Sequence, residues 1–392
     1  MDSLPPEEMP DQETICAHWG EDRTRYLGAV IPPIFQNSLF TNPTCEDRNE
    51  NRSVDSYDYT RIENPTTEIT EAKIAALEKG ERARCFGSGM AAISSTILSQ
   101  VKAGDHVVAV ETCYGPTRDF LKRYLQRFGV TTTFVQGNRP EEWEDARLPN
   151  TTLFYLESPS TFVFHQQDLA ALAGIAREHG ITTVIDNSWA SPIFQNPIEH
   201  GIDFVVHSAT KYLGGHSDIV AGVVVGTKEK MTAMIQNEGH LLGGILDPFA
   251  SWLMMRGLRT LPIRMERHQQ TTVEIANRLL RHPKVETIYY PGLANDPQPD
   301  LTARQLRGTS GLMTVRLKNQ GKEPSYRFVN SLKYFGIGCS WGGFESLALP
   351  ISLPGRWLFE PQTHPIWTIR MHLGLESVND LWNDIERALC VV

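Results

Sequence analysis

The feature that most constrains this chain is a succession of short, β-rich apolar segments separated by helical stretches through its first two thirds. His106–Val110 (HVVAV), Thr131–Val135, Thr152–Leu156, Thr182–Ile185, Phe204–Val206 and Val220–Val225 read as buried strands. Between several of them, Thr117–Phe128 and Asp168–Glu178 carry the spacing of amphipathic helices. Strands that alternate with helices specify an α/β protein with a mainly parallel sheet covered on both faces. Such sheets bind ligands beyond the carboxyl ends of their strands. The residues that follow each strand are therefore the ones to read for chemistry.

The rest of the chain frames that unit. Residues 1 to 12 lack periodicity and read as a frayed tail. Thr14 to Tyr59 is irregular and polar, with Pro32, Pro33, Pro43 and the charge-rich run Glu46–Asp55. A long segment of this kind in a compact protein is disordered or functional, and the motif that follows it favours function. Thr67–Lys79 reads as a helix with Thr66 or Thr67 as cap and Gly80 as stop. Asp247-Pro248 marks a boundary, after which a long helical stretch runs from Phe249 to about Leu280 and an amphipathic helix, Val378–Leu389, ends the chain. The expected units are 1–60, 61–248 and 249–392.

Composition excludes several classes of partner. The formal net charge of the 392 residues is -9, with no dense basic cluster, which argues against nucleic acid and anionic membrane surfaces. No apolar run approaches the roughly 20 residues a membrane span needs. The acidic, proline-rich start is unlike a targeting peptide. The six cysteines are scattered without metal-ligand spacing, so no metal is expected, and they read as isolated thiols of a cytoplasmic protein.

The most informative stretch is Val205-Val-His-Ser-Ala-Thr-Lys-Tyr-Leu-Gly-Gly-His-Ser-Asp218. Taken alone, Lys211 is a surface lysine in a strand-to-helix loop. Its neighbours change that reading: the hydroxyls of Ser208 and Thr210 can hold a phosphate while the lysine reaches an aldehyde on the same ligand. A lysine that forms an imine needs a desolvated site beside other positive charge, so that its amine is free near neutral pH. Asp186 follows an apolar strand 25 residues earlier and can keep a pyridine nitrogen protonated. Phe86-Gly-Ser-Gly89-Met90-Ala-Ala is a glycine-containing turn that opens a small-residue helix, an anion-binding arrangement. Tyr114, after another strand, can stack on a flat ring. Each signal is modest, but together they meet the demands of one cofactor, pyridoxal 5'-phosphate.

From about Leu27 to the C-terminus the chain resembles the cystathionine lyase/synthase (Cys/Met metabolism) family of fold-type I pyridoxal-phosphate enzymes. His207-Ser-Ala-Thr-Lys-Tyr-Leu-Gly-Gly-His-Ser-Asp is similar to the family's cofactor-lysine signature. Tyr57-Asp-Tyr-Thr-Arg-Ile-Glu-Asn-Pro-Thr66 matches its Y-S-R-x-x-N-P-T motif, with Thr60 in place of serine. The resemblance implies a seven-stranded, mainly parallel sheet sandwiched by helices, with a smaller α/β domain at the C-terminus. It implies that Tyr59 and Arg61 reach the phosphate of a neighbouring subunit, making the first 60 residues a dimer clasp in a homodimer or homotetramer. Gly89 and Met90 would hold phosphate through backbone N–H groups, with Ser208 and Thr210. Tyr114 would stack on the ring and Asp186 would pair with its nitrogen. Arg370 would grip the substrate carboxylate, with Ser340 and Trp341 beside it.

Within the family, Trp341 in Ser340-Trp-Gly-Gly-Phe-Glu-Ser, Trp189 in Asp186-Asn-Ser-Trp-Ala, Thr161 and Cys339 resemble the bacterial cystathionine β-lyase branch. The expected reaction is β-elimination of cystathionine or a related cysteine S-conjugate to a thiol, pyruvate and ammonia, with Lys211 and Tyr114 moving the protons. A γ-lyase or γ-synthase is the alternative on the same scaffold. A catalytically silent scaffold is disfavoured by the intact Lys211, Asp186, Arg61 and Arg370, and a nucleotide-binding protein by the absence of a G-x-G-x-x-G or G-x-x-x-x-G-K-[ST] run after a strand.

Overall fold

The computed structural model describes residues 9–50, 56–358 and 364–392. Seven strands form the larger sheet: β1 (Arg82–Phe86), β2 (His106–Val110), β3 (Thr131–Val135), β4 (Thr151–Glu157), β5 (Thr182–Asp186), β6 (Phe204–His207) and β7 (Gly222–Gly226). Their spatial order is β1-β7-β6-β5-β4-β2-β3. The links from β6 through β5, β4 and β2 to β3 are parallel, whereas β7 runs antiparallel to both β6 and β1. Two reversals leave β1 pointing the same way as β6. The carboxyl ends of β1, β2, β4, β5 and β6 therefore open at one edge.

A second sheet holds β8 (Val285–Tyr289), β9 (Leu312–Leu317), β10 (Leu347–Leu353) and β11 (Ile366–His372), ordered β10-β11-β9-β8 with every pairing antiparallel. One apolar core runs under both sheets, from Val107 and Val108 to Ile369 and Met371. No helix among the described residues is long and apolar enough to cross a membrane.

Helix starts follow the local chemistry. Asn64 caps Pro65–Leu77, Ser88 caps Gly89–Leu98, Asp168 caps Leu169–Glu178 and Asp247 caps Pro248–Leu258, each side chain accepting a first-turn amide. Proline stands in the first turn after Asn64 and Asp247, where its missing N–H leaves no helical bond unmade.

The differences from the sequence reading have local causes. The cap of the first long helix is Asn64, one residue before the proline, rather than Thr66 or Thr67. The stretch from Phe249 to Leu280 is two helices, because Pro262 begins a second one at Leu261–Leu280. The predicted helix over Thr117–Phe128 changes pitch, with a wide turn at Phe120–Tyr124 and a tight one at Leu125–Phe128, which keeps Leu121 and Leu125 buried. The sequence reading missed β1 because two arginines interrupt its apolar pattern. Arg84 is buried nonetheless, donating to the carbonyls of Ile62 and Arg61. The irregular stretch before Tyr59 contains short helices at Gln12–His18 and Cys45–Asn49. Most of the expected tail and the end of the charged run lie outside the described residues.

Gly222, at the start of β7, lets the sheet meet the Ser88 turn. A Cβ there would come within 2.2 Å of the Ser88 carbonyl oxygen. Gly222→Ala is expected to destabilise the protein by about 1–3 kcal/mol through this overlap, read from the midpoint of urea unfolding. A midpoint equal to the parent's would show that the contact has slack.

Candidate active site

Five strand ends deliver the site. A cavity of about 300 Å³ is lined by residues that follow β1 (Ser88, Gly89, Met90), β2 (Tyr114), β4 (Glu157 to Phe164), β5 (Asp186, Ser188, Trp189) and β6 (Ser208, Thr210, Lys211). Cys339, Trp341 and Arg370 close it from the smaller sheet. Of the residues singled out from sequence, Gly89, Met90, Tyr114, Asp186, Ser208, Thr210, Lys211, Trp341 and Arg370 thus line one cavity. Ser340 joins them by touching Lys211.

Lys211 sits in the loop after β6. Its Nζ donates to Ser340 Oγ at 2.8 Å and lies 5.4 Å from the centre of the Trp341 ring. Burial first, and then the positive Arg370 nearby, brings its ammonium down to about 8 from an ordinary lysine value of 10.5. That supplies the free amine which imine chemistry requires.

Asp186 ends β5, directly opposite Glu157 at the end of β4. Ser188 donates to Asp186 Oδ1 through its amide at 2.9 Å and its hydroxyl at 2.6 Å. Burial nevertheless raises the Asp186 carboxyl, with Ser188, His207 and Lys211 pulling it back. Glu157 is pushed up to about 8 by burial and then by Asp186. Two buried carboxylates at one cavity wall form a site that favours a cation.

Sequence reading did not assign Glu157 a role. Its signal was an acid at the end of an apolar strand, the same signal that marked Asp186. Glu157 Oε2 accepts the Tyr114 amide at 2.7 Å, and Oε1 accepts the Thr161 hydroxyl. It therefore fixes where Tyr114 leaves β2.

The opposite end of the cavity suits an anion. Ser88 uses its hydroxyl to cap the Ala91 amide at 3.0 Å, which leaves the amides of Gly89 and Met90 at the start of a ten-residue helix that lines the cavity. A Cβ on Gly89 would lie 3.0 Å from Ser208 Oγ, so only glycine keeps this cradle open. Thr210 is less available: its hydroxyl accepts the Ala221 amide at 3.0 Å and donates to the Ala221 carbonyl at 3.2 Å.

Arg370 projects from β11. It donates to the carbonyls of Cys339 (3.0 Å), Gly338 (2.9 Å) and Ser340 (3.0 Å). These bonds leave its Nε hydrogen and one Nη1 hydrogen, which point to different sides of the guanidinium, so a carboxylate would take one of them. The Ser340 carbonyl is thus taken by Arg370 while its hydroxyl meets Lys211.

These residues fit pyridoxal phosphate. The Gly89 cradle suits the phosphate, the raised Asp186 carboxyl would gain a counter-charge from a protonated ring nitrogen, and Lys211 lines the same cavity. Tyr59 and Arg61 stand apart from this cavity. Arg61 donates to the His240 carbonyl at 2.5 Å, and its guanidinium lies 5.5 Å from the Tyr59 ring.

Comparison with known proteins agrees with this geometry. Residues 13–390 match the family model described as Cys/Met metabolism PLP-dependent enzyme. The L-methionine gamma-lyase of Pseudomonas putida is 38% identical over 389 residues, covering 97% of this chain and 98% of its own. The cystathionine gamma-lyase of Bacillus subtilis is 37% identical over 386 residues, covering 96% of this chain and 99% of its own. The crystal structure of metB from Corynebacterium glutamicum superposes with a TM-score of 0.91 at 33% identity, covering 99% of this chain and all of that one.

The lowered value of Lys211 can be checked without turnover. In protein stripped of cofactor, modification of Lys211 by an amine-selective reagent should follow a titration with its midpoint near 8. Mass spectrometry of the labelled peptide across pH measures it. A midpoint near that of exposed lysines, about 10.4, would contradict the desolvated site.

Proposed function

The chain belongs to the Cys/Met metabolism PLP-dependent enzyme family, and on that footing we propose that it is a carbon–sulfur lyase releasing the thiol of a sulfur amino acid by γ-elimination. The observation that carries this reading is the placement of Lys211 against Ser340, between a carboxylate wall and the Arg370 guanidinium, in one cavity. The choice of γ- over β-elimination rests on the relatives, named methionine and cystathionine gamma-lyases. The β-elimination expected from Trp341, Trp189, Thr161 and Cys339 becomes the second reading. All four of those residues do line the cavity.

When bound, pyridoxal phosphate supplies the electron sink that makes the substrate Cα–H acidic. The chain's own residues do the rest. A free N–H of Arg370 holds the α-carboxylate and so orients the Cα–H toward Lys211. The Lys211 amine, neutral for part of the time near physiological pH, accepts that proton at Nζ. Ser340 Oγ keeps the amine in place. γ-Elimination requires a second deprotonation, at Cβ, and a proton for the leaving sulfur. Burial raises the Tyr114 hydroxyl, which stays protonated and can donate to the departing thiolate.

Self-association belongs to the same proposal. Leu27, Val30, Ile31 and Leu39 on the N-terminal arm are exposed, an arrangement suited to a second copy of the chain. Tyr59 and Arg61, remote from their own cavity, would then complete the partner's phosphate site, in a homodimer that can pair further. The same reading divides the chain into the arm to about residue 60, the cofactor-binding unit to about 248 and the C-terminal unit beyond.

Incubation of the pure protein and pyridoxal phosphate with methionine, cystathionine, cystine and S-alkylcysteines should give 2-oxobutyrate from the first two. Identification of the keto acids decides: pyruvate as the product from cystathionine would establish β-elimination instead. Lys211→Ala should lose at least about 10²- to 10⁴-fold in turnover, and normal keto-acid release from it would remove the lysine from the mechanism. Arg61→Ala should weaken cofactor binding about tenfold or more through one lost charged contact, measured by equilibrium dialysis. Equal affinity would separate the arm from the site.

A further inference from the structure

We propose that His372 is a positioning residue for the substrate carboxylate: its neutral ring holds the loop through which Arg370 and Ser340 act. The inference rests on the lyase reading for its setting, but its geometry stands independently. His372 lies on β11 two residues after Arg370, so both side chains leave the same face of the strand. Arg370 holds the loop by the carbonyls of residues 338, 339 and 340. His372 holds the next turn, with Nε2 at 3.1 Å from the Gly342 amide nitrogen and 3.1 Å from the Gly343 carbonyl oxygen.

Only one of those two contacts can be a hydrogen bond in a given protonation state. Burial lowers the His372 pKa to about 4, so the ring is neutral in the working range. The groups around it decide which tautomer it adopts. His268, 5.1 Å away between ring centres, donates from Nδ1 to the Leu373 carbonyl at 2.8 Å and is itself brought down to about 3 by burial, so it adds no charge. Tyr212, 6.0 Å away, accepts the Gly311 amide at its hydroxyl. The cations facing the ring are Arg370 and Lys211, and both oppose its protonation. His372 Nδ1 faces the Gly311 backbone without reaching full hydrogen-bond geometry. A proton on Nδ1 is directed at that backbone and leaves the Nε2 lone pair for the Gly342 N–H. This tautomer answers the amide that would otherwise be buried without a partner.

The loop has little room to take another path. Gly342 has φ +84, and a Cβ on it would come within 2.9 Å of the Lys211 carbonyl carbon and the Tyr212 nitrogen. Gly343 meets the side-chain ends of Ser217 and Glu345, at 2.2 and 2.4 Å from such an atom, which are freer to move aside. The turn is thus pressed between the backbone of the reactive lysine and the His372 ring. If it shifts, Ser340 leaves Lys211 and the carbonyls leave Arg370 together.

The test uses the holoenzyme and its bound-cofactor absorbance, with glycine as a minimal, non-eliminating α-amino acid. His372→Ala should weaken glycine binding about tenfold, shift the pH midpoint of the cofactor absorbance as Ser340 leaves Lys211, and raise KM more than it lowers kcat, while cofactor affinity stays at the parent's. His372→Gln, whose Oε1 can accept the Gly342 amide, should recover most of the glycine affinity and the original midpoint. Parent-like glycine affinity and midpoint in His372→Ala would overturn the proposal. So would a Gln variant as impaired as the Ala variant, since that outcome marks a packing role alone. Glycine titration needs no elimination, so an absence of keto acid from the parent would sink the lyase reading without touching this one.

Discussion

The structure turns on keeping one ammonium group where charge is disfavoured. Lys211 is drawn to a pKa near 8 by a largely buried position and by a guanidinium alongside. An amine left this way in an apolar pocket would be free to swing, since lysine has a long flexible stem. Ser340 Oγ and the face of Trp341 limit that freedom, and both belong to a loop of the second sheet unit. Lys211, which follows a strand of the larger sheet, is thus held by a loop of the smaller one, and one apolar core runs beneath both.

Charge is laid out along the cavity in a consistent order. Helix-start amides and hydroxyls stand at the β1 and β6 ends, where an anion is welcome. Glu157 and Asp186 stand at the ends of β4 and β5, where burial raises both carboxyls and a cation would lower them again. A ligand with a phosphate at one end and a protonated nitrogen at the other satisfies both walls at once. Neither wall is comfortable without it. The parallel register of β4 and β5 places Glu157 directly beside Asp186, so the sheet topology itself produces the paired acid.

Much of this was legible in the sequence, because strand ends carry conspicuous residues. HVVAV and TTVID mark β2 and β5 by their apolar, β-branched runs, and an acid or hydroxyl after such a run stands out. Lys211 stood out for the same reason, as a lysine beside two hydroxyls after an apolar strand. β1 was hidden, since Arg84 reads as surface and is buried where the carbonyls of Arg61 and Ile62 accept its donors and the Glu71 carboxylate lies 3.8 Å away. Glu157 was overlooked because its role is to hold the Tyr114 amide 43 residues away, a pairing that exists only once β2 and β4 adjoin. His372 was hidden likewise: its partner, Gly342, is distant in sequence and offers only a backbone amide. Residue type announces chemistry at a chain's own position but not through-space support of backbone.

That distinction bears on how the two halves of the site can vary. A side chain aimed into the cavity can change with the substrate, because water or ligand can take its place. A side chain that holds a backbone amide in a confined turn has no such substitute. Gly342 has no space for a Cβ, and its path is bounded by Lys211 on one side and β11 on the other. Cys339 and Trp341, which flank Ser340, both line the cavity, but Trp341 also restrains the Lys211 amine, so Cys339 is the flank freer to change. The serine between them contributes its hydroxyl to the amine and its carbonyl to the guanidinium. On the proposed reading, specificity for the sulfur substituent shifts at residue 339 while the geometry linking amine to carboxylate stays as it is.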